Sequence, residues 1–259
     1  NITLRDLILN NACEPAQRDF KENYGQYEEV PISRIVKDIL DESKTAYLMF
    51  LCEVMPHVFR GASTHYKDTA IVCGESLAFI PDGVKNIYLL NGATYSGVIE
   101  DHAFTLKGGS NINAIGSGRI YTRYSNVKVQ GAIRVFAHQS TVYASDSCYV
   151  DATNTSHVTL TNDCSGLLSL SEVVMRGRAN ASAERCDIQT YGESMLTANK
   201  CHVQMYDASQ VYAVKCPSVR VYGGVVSKDT QSIVIRMNPN IQVIGKKPTN
   251  VFTYEGQNE

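Results

Sequence analysis

The chain has 259 residues, with 24 lysines and arginines against 26 aspartates and glutamates and a formal net charge of -2. This balance argues against a general nucleic-acid binder, which is usually basic, and against a strongly acidic mimic of nucleic acid. No run of about eighteen apolar residues is present, so no membrane-spanning helix is predicted.

The first 66 residues are predicted to form about four short helices. Thr3 and Asp6 have the spacing of a capping box, and Gly25 is expected to close the second helix. The helical spacing covers Leu4 to Leu9, Glu14 to Asn23, Ile32 to Leu40, and Ala46 to Met55 before Pro56. Two roles are open for this part: a cap on the first coil of the rest of the chain, or a separate docking or assembly module.

A repeat of fifteen or sixteen residues runs from about Asn111 to about Met237. Its lead position holds Ile112, Val127, Val142, Val158, Val173, Ile188, Val203, Val219 and Ile233. A fixed period of this size indicates stacked coils, each of which buries its apolar face only against its neighbours.

Within each unit, apolar or small residues alternate with polar ones, which is the pattern of a strand with one buried face. The fifth position favours a bend: it holds Gly116, Gly131, Asp146, Asn162, Gly177, Gly192, Asp207 and Gly223. A second bend is expected in polar stretches such as 138–140 and 198–200. An all-β sandwich or barrel is the alternative, but its turns rarely keep one residue type at one register.

The predicted fold is therefore mainly β: a single-stranded parallel β-helix of about fifteen to sixteen residues per coil, right-handed, with a small N-terminal α-helical domain. The domains are residues 1–66 and 67–259, the latter ending in an irregular C-terminal cap. Val72 and Ile87 are expected to align in early coils, and the stretch from Val98 to Gly109 is expected to hold a longer loop.

Eight cysteines lie in the chain. Cys186 and Cys201 share a register with Ser125, Ser140, Ser156 and Ser171, and Cys148 and Cys164 share another with small residues. Buried thiols in internal rows are predicted, since free cysteine packs as a small hydrophobic residue. No paired C-x-x-C spacing accompanies them, so neither a metal site nor a cofactor is predicted. Free thiols indicate a reducing compartment, hence the cytoplasm, or a virion if the chain is phage-encoded.

One outward row supplies the candidate binding residues. Three positions after each lead residue come Arg176, Tyr191, Tyr206, Tyr222 and Arg236. Stacked rings between arginines form a flat aromatic and basic strip that could bind a protein or a glycan. The alternative is a purely stabilising row on an exposed sheet.

No catalytic constellation is predicted. His157 and His202 share a register but lie three coils apart, about 14 Å, too far for a dyad. Asp101 and His102 are the nearest thing to a catalytic pair, yet adjacent residues on a strand point to opposite sides.

The V-x-V-x-G units resemble the short-coil β-solenoid proteins of bacteria and phages over about half of the chain. This resemblance implies the fold only. Because each coil is hydrogen-bonded to two neighbours and offers a preorganised surface, we expect a rigid, non-enzymatic interaction scaffold that binds a protein partner, or itself as a homo-oligomer, along the outward tyrosine and arginine row. Two alternatives stay open: a phage or surface β-helix protein that binds or cleaves carbohydrate, which requires a groove with paired acidic residues, and an acyltransferase-like trimeric β-helix.

Overall fold

A computed structural model describes residues 1–42, 44, 47–48, 50–51, 62–229, 231–237, 242–244 and 250–253. It confirms a mainly β chain: a parallel β-solenoid of about 12 coils preceded by three small helices. Each coil contributes one strand to each of two facing sheets, and the apolar core lies between them.

The helices are α1 (Leu4–Leu9), α2 (Glu14–Tyr24) and α3 (Ile32–Asp41). The capping box is confirmed: Asp6 N donates to Thr3 Oγ1 at 3.1 Å, and Thr3 N donates to Asp6 Oδ2 at 2.8 Å. Gly25 follows α2 as predicted, but its φ of -60° is right-handed, so the helix ends without a left-handed cap. The predicted helix from Ala46 to Met55 lies mostly outside the described residues. Its described positions, 47, 48, 50 and 51, are helical.

After an initial antiparallel pair in one sheet, the strands alternate between the two sheets. In chain order they are β1 (Ala62–Tyr66), β2 (Thr69–Cys73), β3 (Ser76–Leu77), β4 (Asn86–Leu90), β5 (Thr94–Lys107), β6 (Asn111–Arg123), β7 (Asn126–His138), β8 (Thr141–Ser145), β9 (Tyr149–Thr153), β10 (His157–Leu160), β11 (Ser165–Ser169), β12 (Glu172–Met175), β13 (Asn180–Glu184), β14 (Asp187–Thr190), β15 (Met195–Asn199), β16 (His202–Met205), β17 (Gln210–Val214), β18 (Ser218–Val221), β19 (Val225–Lys228), β20 (Val234–Arg236), β21 (Gln242–Ile244) and β22 (Val251–Thr253). From β8 onward, even-numbered strands form the first sheet and odd-numbered strands the second. The long strands β5, β6 and β7 run through both sheets.

The lead row of the repeat lies inside the solenoid. Val142 pairs with Val158, Val158 with Val173, and so on along the first sheet, and every member from Ile112 to Val219 is buried. This alignment places identical side chains directly above one another at the strand spacing of about 4.8 Å. The last lead residue is an exception: Val219 pairs with Val234 instead of Ile233, because the hydrogen bonds between β18 and β20 keep a step of fifteen.

The first corner of each coil follows the predicted Gly/Asn/Asp position. Seven of the eight predicted residues have positive φ, and in the eighth coil Gly224 takes this conformation instead of Gly223. Gly131 has a φ of 105°, and a Cβ there would lie 2.6 Å from the Gly116 carbonyl oxygen. Asn162, by contrast, has a φ of 58°, a left-handed conformation that asparagine adopts at little cost.

The second corner lies where it was predicted, since Gln139 and Lys200, in the stretches 138–140 and 198–200, have positive φ. Its left-handed residues include Tyr124, Gln139, Leu170, Arg185, Lys200 and Lys215. In this conformation the backbone N–H points along the solenoid: Lys200 N donates to the Val214 carbonyl at 2.9 Å and Arg185 N to the Asn199 carbonyl at 3.0 Å. The hydrogen bonds between coils therefore impose a conformation that these residue types do not favour by themselves.

The residue after each second corner belongs to one buried row of small side chains. Its members are Ser110, Ser125, Ser140, Ser156, Ser171, Cys186, Cys201, Cys216 and Ser232. Cys201 Sγ accepts from Cys186 N at 3.4 Å and donates to the Asn199 carbonyl at 3.3 Å. Ser140 makes the same two kinds of bond, to Ser125 N and to the His138 carbonyl. A short side chain that both donates and accepts is thus selected, which explains why only serine and cysteine occur.

The early coils are longer than predicted. Ala70, not Val72, pairs with Ile87, seventeen positions later. The expected loop between Val98 and Gly109 is instead a break in the β5–β6 register between Ile99 and His102 within a continuous strand. A bulge absorbs the extra residues without leaving the sheet.

The helical module packs on the side of the first coils. Its core, which includes Leu7, Phe20 and Ile35, continues into the outward residues Ile71 and Leu90 of the second sheet. The edge of β2 is covered by β1, which pairs with it in antiparallel orientation. Lys67 lies in the turn between these strands, and its Nζ is 3.0 Å from Asp41 Oδ1 at the end of α3. Within the described part of the chain, no helix is long and apolar enough to cross a membrane.

Candidate binding face

The predicted outward row occupies consecutive coils at the exit of the first sheet. The backbone N–H groups of Arg176, Tyr191, Tyr206 and Tyr222 each donate to the preceding coil, at 2.8 to 2.9 Å. These four residues, here called the tyrosine ladder, therefore share one register along the solenoid. Each stands between a strand of the first sheet and the first corner.

The rings of the tyrosine ladder stack on one another. The ring centroids of Tyr191 and Tyr206 are 4.7 Å apart with planes 4° from parallel, and those of Tyr206 and Tyr222 are 4.7 Å apart at 6°. Arg176 Cζ lies 4.8 Å from the Tyr191 centroid, which closes one end of the stack through a cation–π contact. The inner ring faces are thus covered by their neighbours, and the ladder presents ring edges and hydroxyl groups to solvent.

Hydrogen bonds hold the rings upright. Tyr191 and Tyr206 each donate a hydroxyl hydrogen, to Gln189 Oε1 and Gln204 Oε1 respectively, both at 3.0 Å. Burial between its neighbours, together with the adjacent Tyr222 and Tyr191, raises the pKa of Tyr206 above the ordinary tyrosine value. The hydroxyl therefore stays a neutral donor over the whole physiological range.

Arg236 does not belong to this ladder. It is aligned with Val221, an inward position, and the residue in register with Tyr222 is Met237, whose N–H donates to the Val221 carbonyl. The prediction placed Arg236 by counting from Ile233. The shift by one residue moves its side chain off the outward row because the faces of a strand alternate.

A groove of about 500 Å³ runs along the outer face of the first sheet beside the ladder. One side of the groove is a row that contains His157, Glu172, Asp187 and His202, here called the polar row. The other side includes Gln189 and Gln204, which the tyrosine hydroxyls contact. On each strand, the groove therefore separates the polar row from the tyrosine ladder.

The polar row places two carboxylates side by side. Glu172 and Asp187 are aligned on β12 and β14, and such like charges in register destabilise a sheet unless they are compensated. His157 Nε2 lies 3.0 Å from Glu172 Oε2, and His202 is aligned with Asp187. Of this row, only His157 and His202 were singled out from the sequence. The acidic residues between them follow from the same register, one position before each lead residue.

Asp101 and His102 do not form a pair. Asp101 Oδ1 accepts a hydrogen bond from Ser117 at 3.3 Å, whereas His102 Nδ1 accepts from the Glu100 N–H at 3.0 Å. Asp101 has a left-handed φ of 54° at the register break of β5. The two side chains therefore make hydrogen bonds to different partners and none to each other.

The cysteines are part of the interior. No disulfide joins any of the seven cysteines that the structure describes, and Cys52 lies outside the described residues. The hydrogen bond with Cys148 and burial both raise the pKa of the Cys164 thiol. Among the described residues, no group of three or more histidine, cysteine or acidic side chains is arranged to hold a metal ion.

The chain was compared with models of protein families, with curated proteins and with solved structures, and none of them matches it.

Proposed function

We propose that this protein is a rigid, non-enzymatic interaction scaffold that binds a protein partner, or a second copy of itself, along the outer face of its first sheet. The observation that carries the proposal is the tyrosine ladder, in which stacking and hydrogen bonds hold four side chains in one register. Side chains that are ordered before binding lose little conformational entropy on association, so more of the contact energy is retained.

The chemistry of the ladder suits a protein surface. Tyrosine and arginine are enriched at the energetically important centres of interfaces, since they combine a large apolar area with hydrogen-bonding groups. Tyr222 is 39% exposed and Arg176 is exposed at the other end of the ladder. A partner would contact ring edges, hydroxyls and the guanidinium group, with the groove as a second contact strip.

The test is a triple variant, Tyr191→Ala with Tyr206→Ala and Tyr222→Ala. Self-association is measured by sedimentation velocity over a concentration series, and a partner recovered by pull-down is identified, purified and titrated against both proteins. We expect the variant to lose at least about tenfold in affinity, since three hot-spot side chains are removed.

The control is Tyr212→Ala, which removes a more exposed tyrosine from the second sheet in the same part of the solenoid. A triple change of the ladder to phenylalanine keeps the stack and removes the hydroxyls. Association that is unchanged in the triple alanine variant, with normal circular dichroism, would show that the ladder is a stabilising row only.

One observation supports a second candidate, a β-helix protein that binds or cleaves carbohydrate. Such a protein requires paired acidic residues in a groove, and Glu172 and Asp187 line the groove in neighbouring coils. The test is a glycan array, followed by a reducing-end assay on any glycan bound. If this candidate is right, the variant Glu172→Gln with Asp187→Asn loses glycan binding or cleavage while the tyrosine variants keep it.

A further inference from the structure

A second outward surface lies on the opposite sheet, where β6 and β7 pass through it. The outward side chains there, here called the basic face, are Arg119, Tyr121, Arg123, Arg134, Phe136 and His138. None of the outward positions on these two strand segments carries an acidic side chain. The surface is separate from the tyrosine ladder and does not depend on the proposed function.

Two arginines of the basic face are directly opposed. Arg119 is aligned with Arg134, both are exposed, and their backbones lie about 4.8 Å apart, the strand spacing. Like charges in this arrangement destabilise a sheet. Neither guanidinium makes an ion pair with any described residue. The corner carboxylate Asp101 accepts a hydrogen bond from Ser117 instead. The arrangement is relieved when an anion from outside bridges the two arginines.

The aromatic pair of the basic face also favours an anion. The ring centroids of Tyr121 and Phe136 are 5.0 Å apart with planes 10° from parallel, so each ring covers one face of the other. The two outer faces lie toward Thr105 and Asp151 of the adjacent strands. Their edges, which carry the positive side of the ring quadrupole, are left for a ligand. Nucleic-acid bases and sugars stack on ring faces and gain little here, whereas a carboxylate meets positive edges and guanidinium groups.

The basic face is short. Toward the C-terminal coils, Phe136 is aligned with the acidic residue Asp151 of the adjacent strand. Toward the N-terminal coils, the helical module covers the outward residues Ile71 and Leu90 of the same sheet. Along a strand, Arg119 and Arg123 are four residues apart, about 13 Å. A long uniform polyanion would extend onto Asp151, and the protein as a whole is negatively charged, with a net charge of -2.

We propose that the basic face binds a short acidic segment of a protein partner, with carboxylates held by Arg119, Arg134 and Arg123. The paired arginines supply the planar donors that carboxylates accept in bidentate form. Because the backbone of both strands is already paired on each side, binding takes place through side chains and not by strand addition.

The test is fluorescence anisotropy with a labelled hexaglutamate peptide and the full chain. We expect saturable binding that weakens with salt, and a loss of about tenfold in the double variant Arg119→Gln with Arg134→Gln, since each exposed ion pair contributes modestly. The control variant Lys128→Gln with Lys215→Gln removes the same charge from exposed positions elsewhere and is expected to bind as the wild type does. Circular dichroism establishes that both variants are folded.

Two outcomes would overturn the proposal. Equal affinities for the arginine variant and the lysine control would show that only net charge acts. The face would be assigned to nucleic acid instead if a single-stranded oligonucleotide bound more tightly than hexaglutamate and if this binding were lost in the same arginine variant.

Discussion

At the scale of single residues, the buried serine and cysteine row shows how a backbone requirement selects side chains. Cys186 N–H has no carbonyl partner at the second corner, and Cys201 Sγ accepts its hydrogen at 3.4 Å. In the same way, Cys216 N–H donates a hydrogen bond to Ser232 Oγ at 3.1 Å. The thiols of this row therefore act as hydrogen-bonding spacers, in positions where serine serves equally well.

This role predicts opposite outcomes for two changes at Cys201. Cys201→Val introduces an apolar side chain that is larger by one heavy atom and leaves Cys186 N–H buried without an acceptor, at a cost of about 1–3 kcal/mol. Cys201→Ser keeps the acceptor and is expected to change stability by less than about 1 kcal/mol. Urea unfolding followed by circular dichroism compares the two. Equal destabilisation by valine and serine would contradict the hydrogen-bonding role.

At the scale of structural elements, corners are the points where the C-terminal coils depart from the regular pattern. In most coils the left-handed residue of the second corner donates to a carbonyl of the next coil, as Lys200 does to Val214. Lys215 N donates instead to Asp229 Oδ2 at 3.0 Å. Asp229 Oδ1 also accepts from Ser232 N at 2.8 Å, so one carboxylate joins two corners.

The corner carboxylate makes stability depend on pH. Burial alone would raise the pKa of Asp229, but hydrogen bonds from the Ser232 hydroxyl and from the N–H groups of Lys215, Ser232 and Gln231 hold it below the ordinary value. A carboxyl whose pKa is lower in the folded state stabilises the fold above the unfolded pKa, near 4, and loses this contribution as pH falls through the folded value.

We therefore expect Asp229→Asn to cost about 1 kcal/mol at pH 7, a modest figure because the group is partly exposed. The difference from the wild type shrinks below about pH 4, where the wild-type carboxyl is protonated as well. Urea unfolding midpoints of both proteins, at pH 7 and below about pH 4, measure this difference in stability. Asp151→Asn, at a strand position with no hydrogen bond at a corner, is the control. A difference that is independent of pH would show that the carboxylate charge is not involved.

At the scale of the whole molecule, stability comes from contacts between neighbouring coils in strict register. Each strand from β10 to β18 pairs with the equivalent strand of the coil before and of the coil after. In such an architecture one coil is exchangeable for the next, provided that the period is kept.

This architecture predicts that the removal of a whole coil is tolerated. Deletion of Val173 to Asp187, fifteen residues, joins Glu172 to Ile188 and keeps every inward position inward. We expect a folded protein, shorter by one strand spacing of about 4.8 Å, with the far-ultraviolet spectrum of the parent.

The control is a deletion of Val173 to Cys186, one residue shorter. It shifts all later residues by one position and turns their apolar side chains outward, so this variant is expected to unfold or aggregate. Circular dichroism and small-angle scattering compare the two. A well-folded product from the shorter deletion, or loss of structure in both, would contradict a register-determined solenoid.

Much of the architecture could be predicted from the chain alone. The lead row from Ile112 to Val219, the inner rows of small residues and seven of the eight first-corner positions lie where the period placed them. Four of the five candidate binding residues stand in consecutive coils, from Arg176 to Tyr222. These predictions were possible because side chains of a stacked coil align whenever the step is constant.

What the chain alone determined is the coil, because a period of fifteen with alternating apolar residues leaves stacked parallel strands as the arrangement that buries them. The tertiary structure decided whatever depends on hydrogen bonds between coils. These bonds set the step from Val219 to Val234, which moves Arg236 off the ladder. They hold Leu170 and Lys200 in a left-handed conformation that their side chains do not signal. They also align Arg119 with Arg134, since pairing across neighbouring coils, not distance along the chain, decides which charges meet.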